Sequence, residues 1–230
     1  MQLIAHRGAS GLAPENTLKA FRLALEQGVT AIELDVQYAD GELWVFHDRR
    51  LERCSDGRGV LTHQRREYLA NLDAGDGEPI PTLWQVMSLV AGRCDLHIEL
   101  KGPHTAQPVA DLTRRAEAEL HFHPQQWLVS SFDHRELRQF QQLRPEIRLG
   151  ALIAGVPSHL ARFAAEMGCW SLNCDVDFIN QALIEDAHAR GLRVLVYTVD
   201  HPDEWRWLEE MGVDGVFTNH PERGAPPRAN

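Results

Sequence analysis

Long apolar runs are missing from this chain. None of its 230 residues belongs to a stretch approaching the roughly 20 apolar residues of a transmembrane helix, so a membrane protein is not expected. The N-terminus, Met1-Gln2-Leu3-Ile4-Ala5-His6-Arg7, has no basic segment ahead of a longer apolar one, so no secretory leader is expected and a cytoplasmic location is the default. Cysteine is scarce: Cys54, Cys94, Cys169 and Cys174 show no C-x-x-C spacing and read as reduced, buried thiols. Positive charge is also short. A formal net charge of −10 argues against nonspecific nucleic-acid binding and against docking on anionic lipid. There is no low-complexity tract and no linker. With 43% hydrophobic and 24% charged residues the composition is globular, and residues 1–230 read as one domain.

What is present centres on residues 30–48. Ile32, Leu34 and Val36 alternate with Glu33, Asp35 and Gln37, the period-2 signature of a strand. Two carboxylates on one face repel and raise each other's pKa unless positive charge sits between them. Asp40-Gly41 reads as a two-residue hairpin turn. Pairing outward from it sets Ala39 opposite Glu42 and Leu34 opposite His47, which brings an imidazole beside the two acids. A solvated strand face gives the same alternation, so the rest of the chain has to decide.

Strand-like segments fall at 2–5, 30–37, 95–100, 127–131, 148–152, 169–173, 193–198 and 213–218. Helical patterns lie between most of them: one from Leu18 through Phe21 and Leu25, with Asn16 as candidate N-cap, then 82–92, 105–120, 134–143, 158–167, 179–190 and 202–211. Eight strand–helix alternations predict an α/β fold, a (β/α)8 TIM barrel. The segment 42–47 is set aside as the return arm of a β-hairpin above the C-terminal mouth of the barrel, because two residues cannot make a parallel crossover. Residues at about 48–80 read as a short insertion over that mouth, with one helical piece near 64–71. The tail from Pro221, including Pro226-Pro227, is expected to be poorly ordered.

Barrel active sites lie at the C-terminal strand ends. Those ends supply His6 and Arg7, then Glu33 and Asp35 with His47 returned by the hairpin, then Glu99 and Lys101 two residues apart on one face. Three carboxylates suit one hard divalent cation, Mg²⁺ or Ca²⁺. Arg7 and Lys101 are fixed positive charges for phosphate oxygens. His6 and His47 can serve as general acid and base. Together they describe metal-assisted phosphodiester cleavage.

In order, His6-Arg7-Gly8, Pro14-Glu15-Asn16-Thr17, Glu33-Leu34-Asp35-Val36, Asp40-Gly41 through His47-Asp48, and Ile98-Glu99-Leu100-Lys101 resemble the motifs of the glycerophosphodiester phosphodiesterases. Val196 to Asp200 and Gly212 to Asn219 are similar to that family's last two strand motifs. The resemblance implies a small-molecule glycerophosphodiester substrate cleaved to glycerol 3-phosphate and an alcohol. It implies His6 and His47 as the acid–base pair, Glu33, Asp35 and Glu99 as metal ligands, and Arg7 and Lys101 as phosphate-binding residues. The run Leu72 to Pro79 is shorter than the usual pattern, which leaves head-group preference open.

Ser130, Asn173 and Tyr197 fall near strand ends within reach of substrate, whereas His97 lies one layer deeper as a core histidine. Glu15 reads as complementing a helix dipole. Trp205 and Trp207, two apart on one helix, cannot both face the barrel. An exposed one would mark a subunit contact, with a homodimer the form it would take. The alternatives are a phosphatidylinositol- or sphingomyelin-type phospholipase on a similar barrel and a non-catalytic phosphometabolite-binding protein. The acidic chain and the expected lack of an exposed apolar lip weigh against a membrane-bound substrate, and the complete His/Glu/Asp/Glu set weighs against a binding protein.

Overall fold

A computed structural model describes residues 1–224. Eight parallel strands close on themselves: β1 (Gln2–His6), β2 (Ala31–Ala39), β4 (Asp95–Leu100), β5 (Trp127–Ser131), β6 (Arg148–Ile153), β7 (Ser171–Asp175), β8 (Arg193–Tyr197) and β9 (Gly215–Thr218), with β1 paired to both β9 and β2. The remaining strand, β3 (Glu42–Val45), runs antiparallel on β2. Helices α1 (Leu18–Glu26), α3 (Leu83–Val90), α4 (Ala106–Glu119), α5 (His134–Leu143), α6 (Arg162–Glu166), α7 (Gln181–Ala189) and α8 (Pro202–Glu210) alternate with the strands, and a single turn, α2 (Arg66–Leu69), lies in the insertion. This is the expected (β/α)8 barrel. No helix among the described residues is long and apolar enough to cross a membrane.

Two-residue periodicity divides each barrel strand. Outward residues such as Ile32, Leu34, Val36, Ile98 and Val129 form the main core under the helices. Inward residues fill the barrel. Its floor is apolar, with Ile4, Ala31, Leu128, Leu195 and Phe217 packed together. Above the floor the register places His6 beside Glu33, Asp35 beside Glu99, and Glu99 beside Ser130. The polar layer therefore follows from strand parity and pairing alone.

The hairpin has the expected register, with Ala39 opposite Glu42, and its ladder ends at Val36 opposite Val45, before His47. Asp40 and Gly41 both take positive φ, as a type I′ turn requires. Along β3, Leu43 and Val45 join the main core, while Trp44 and the following Phe46 cover Leu51, Leu61, Leu69, Leu72 and Ile80 of the insertion. The insertion thus has a hydrophobic core of its own.

Three local expectations change. Thr17, not Asn16, caps α1, its hydroxyl accepting from the Ala20 N–H; Asn16 sits at φ 59° and turns its side chain into the barrel. α6 starts at Arg162 rather than 158, because Leu160 adopts a left-handed φ of 47° that a helix cannot accommodate. Pro221–Gly224 is an ordered 3₁₀ turn with Pro221 buried, against the disorder expected from Pro221 onward; Pro226 and Pro227 lie outside the described residues.

Gly8, directly after Arg7, has φ 81°, and a Cβ there would come within 2.7 Å of the Ala20 carbonyl carbon. Gly41 also has φ 81°, but its Cβ would meet open space. Gly8→Ala should therefore cost roughly 3 kcal/mol or more, from backbone strain plus overlap, while Gly41→Ala costs about 1 kcal/mol. Urea unfolding of both variants checks this; equal losses would contradict the packing described.

Candidate active site

A pocket of about 150 Å³ opens at the C-terminal end of the strands. One wall is charged, with His6, Arg7, Glu33, His47, Glu99 and Lys101; the other carries Phe132, Leu152, Tyr197 and Phe217, with Ser130, Asn173 and Thr198 among them. Asp35, fully buried, lies behind the charged wall. One oxygen each from Glu33, Asp35 and Glu99 lie within 4.8 Å of one another. All seven residues singled out from the sequence therefore converge, as do Ser130, Asn173 and Tyr197. His97 is buried edge-on to Phe217, below the site.

Two fixed cations border the acids. Lys101 Nζ is 2.9 Å from Glu99 Oε1 and 3.8 Å from Asp35 Oδ1. Arg7 Nε is 3.3 Å from Asp35 Oδ2, and the Arg7 backbone N–H donates to Glu33 Oε2 at 3.0 Å. Burial, then the charges of Asp35 and Glu99, push the Glu33 carboxyl well above its usual range. Burial and Asp35 push Glu99 up to about 7. Burial acts on Asp35 in the same sense, but Arg7 and Lys101 outweigh it and hold this carboxyl low. Ionised together, the three acids would carry one more negative charge than the two cations supply, and the raised carboxyls are the consequence. Asp35 Oδ1 is buried and accepts no hydrogen bond. Three clustered carboxylates, one of them with a buried oxygen that has no donor, fit an oxygen-coordinated divalent cation.

The two histidines are held differently. Burial, then the Arg7 charge, lowers His6 to about 4; its Nδ1 meets Asn219 Oδ1 at 2.8 Å, and its Nε2 is 4.0 Å from Glu33 Oε2. Burial also lowers His47, against the pull of Asp35, and its Nδ1 is 2.6 Å from Asp48 Oδ1. Gln37, the third polar residue on the inward face of β2, donates to the carbonyls of Phe46 and Asp48 and so pins the loop that carries His47.

Several site residues escaped the sequence reading. Asn16 donates from Nδ2 to Asp35 Oδ2 at 2.9 Å; its strong intrinsic preference for the N-cap misdirected its assignment, and Thr17 takes that position instead. Glu15 serves no helix dipole: it accepts from Arg7 at 2.8 Å and from both terminal nitrogens of Arg53, which also grips Asp48. Arg53 gave no signal, because nothing in an irregular insertion shows where a side chain points. The expected lack of an apolar lip does not hold either. Leu12, Phe132, Val156 and Phe178 are large, exposed side chains on the loops after β1, β5, β6 and β7, where no periodicity reveals which way a residue faces. Trp205 is buried and donates to the Val199 carbonyl, while Trp207 is exposed.

The glycerophosphoryl diester phosphodiesterase family matches residues 6–223. A glycerophosphodiester phosphodiesterase of Caldanaerobacter subterraneus subsp. tengcongensis is 35% identical over 96% of this chain and 94% of its own. One from Bacillus subtilis is 30% identical over 95% and 83%. Among solved structures, an Oleispira antarctica phosphodiesterase in complex with its product sn-glycerol-3-phosphate superposes with a TM-score of 0.88 at 30% identity, covering 97% of this chain and 94% of that one. Barrel, pocket and sequence agree: the chain belongs to the glycerophosphoryl diester phosphodiesterase family.

Proposed function

We propose that this enzyme hydrolyses glycerophosphodiesters to glycerol 3-phosphate and an alcohol, with one divalent cation held by Glu33, Asp35 and Glu99 and with His6 and His47 as the acid–base pair. The observation that carries the reading is the gathering of three carboxylate oxygens within 4.8 Å, in a pocket lined by both imidazoles. The product carried by the Oleispira antarctica neighbour supports the substrate class.

Arg7 and Lys101 hold the phosphate oxygens and take up charge that builds on them in the transition state. A divalent cation held by Glu33, Asp35 and Glu99 would supply Lewis-acid polarisation of the phosphoryl group. One imidazole accepts the proton of the glycerol hydroxyl next to the esterified carbon, and that oxygen bonds to phosphorus in line. The phosphorus–oxygen bond to the alcohol breaks, and the other imidazole gives the departing alkoxide its proton. Water then opens the cyclic phosphate, with the two imidazoles exchanging roles. Direct attack by water is the competing route, and equal turnover of a diester lacking the neighbouring hydroxyl would favour it. The alcohol leaves along the wall where Phe132 meets Tyr197 edge-on, with ring centroids 6.0 Å apart.

Release of glycerol 3-phosphate from glycerophosphocholine or glycerophosphoethanolamine tests the activity. His6→Ala and His47→Ala should each lower kcat roughly 10²–10⁴-fold, and EDTA should abolish turnover until Mg²⁺ or Ca²⁺ is restored. Retention of activity in either variant removes the acid–base pair from the account. Release of alcohol from intact phospholipid in liposomes, at a rate matching the soluble diester, would instead favour a phospholipase, the reading to which the exposed Leu12, Phe132, Val156 and Phe178 lend weight.

Metal binding has a readout independent of turnover. The Glu99 pKa is raised from 4.5 to about 7 in the folded protein, so Glu99 holds a proton there that the unfolded chain has released. That contribution to stability is lost as pH rises through this window, and a cation must displace the proton. The rise in Tm on adding divalent cation should therefore grow from about pH 5 to above about pH 7 and shrink strongly in Glu99→Gln. A cation-induced shift that is flat with pH and unchanged in the variant would contradict the assignment.

A further inference from the structure

We propose that Asn219 and Asp200 are positioning residues for His6, fixing its imidazole as the Nδ1–H tautomer so that every proton it exchanges passes through Nε2. The proposal rests on the acid–base role given to His6 above. Asp200, as a carboxylate, can only accept hydrogen bonds. The Asn219 backbone N–H donates to its Oδ1 at 2.7 Å, and the Thr218 hydroxyl does so at 3.1 Å. Its Oδ2 accepts from the Asn219 side-chain nitrogen at 2.9 Å. Burial alone would raise this carboxyl, yet those donors hold it below its ordinary range, so it stays ionised and acceptor-only.

Rotated half a turn, the Asn219 amide would set its own oxygen against that carboxylate, acceptor against acceptor. Asp200 therefore orients the amide with Oδ1 towards His6, 2.8 Å from Nδ1. An amide oxygen has no hydrogen to give, so the hydrogen in this contact belongs to His6. The Ser10 hydroxyl, 2.8 Å from the same oxygen and 2.7 Å from the His6 carbonyl, ties the loop after β1 to the arrangement without touching either ring nitrogen. Nε2 is left with its lone pair on the pocket side, 4.0 Å from Glu33 Oε2.

The backing is a neutral amide, whereas His47 has the carboxylate of Asp48 behind its Nδ1. An amide selects the tautomer without adding charge beside the acidic trio. Asp200 and Asn219 follow consecutive strands β8 and β9, and β9 lies next to β1, so closure of the barrel assembles the relay from both ends of the chain.

Long-range ¹⁵N–¹H NMR of the full chain labelled at histidine, in Mg²⁺ buffer, decides the tautomer, with His6 assigned by difference from His6→Gln. The expected spectrum has a protonated Nδ1 and an unprotonated Nε2. In Asn219→Ala and in Asp200→Asn the pattern should shift towards a mixture with Nε2–H. In both variants kcat for glycerol 3-phosphate release should fall roughly 10- to 100-fold with KM changed by less than about threefold. A wild-type ring protonated at Nε2, variants that keep the wild-type tautomer, or a shifted tautomer with unchanged kcat would each overturn the proposal. Where a variant does not fold, the wild-type spectrum decides alone. The spectrum needs no turnover, so an inactive wild-type protein would sink the acid–base reading while the tautomer was still decided.

Discussion

Mutual repulsion among three buried carboxylates is the constraint on which the rest of this structure depends. With oxygens no more than 4.8 Å apart, each charged pair would cost about 3 kcal/mol or more at an effective dielectric near 20. A barrel interior accepts that only where positive charge and oriented donors surround the acids. Arg7, Lys101 and the Asn16 amide answer Asp35, and the Arg7 backbone N–H answers Glu33. With all three acids ionised one negative charge would still be left over, and the divalent cation proposed here would balance it. Stability and the proposed function thus pull against each other here: the apolar floor and the outer core stabilise a barrel whose mouth carries a cluster that opposes folding when all three acids are ionised.

From that layer an ionic chain runs outward through Arg7, Glu15, Arg53 and Asp48 to His47. It joins the loop after β1 to the insertion and holds the second imidazole at the pocket that the first also lines. This is why the insertion needs a core of its own under Trp44 and Phe46. A loosely packed loop could not hold Arg53 where it grips two carboxylates. The opposite wall, around Phe132 and Tyr197, carries neither of the two histidines and none of the three acids, and in the proposed reaction it faces the departing alcohol.

Much of this is legible in the sequence, because strand parity is a one-dimensional signal. Glu33, Asp35 and Gln37 share a face by counting, as do Glu99 and Lys101, and the Asp40-Gly41 turn fixes the hairpin register. Family resemblance then orders these pieces around one mouth. What stays hidden depends on three-dimensional closure or irregular backbone. The His6–Asn219 contact spans 213 positions and exists only because β9 returns to β1. Asn16 was read through a local rule, helix capping, when a left-handed backbone sends its side chain to Asp35 instead. The exposed Leu12, Phe132, Val156 and Phe178 lie on loops with no period to read.

The central claim is that Glu33, Asp35 and Glu99 share a single ion. Equilibrium dialysis of the chelator-treated protein against Mg²⁺ and Ca²⁺, with metal counted per chain, tests it most directly. The account predicts one bound divalent cation per chain, lost when Asp35→Asn and Glu99→Gln are combined in a protein that still folds. No bound cation, or a stoichiometry that survives the double substitution, would contradict it.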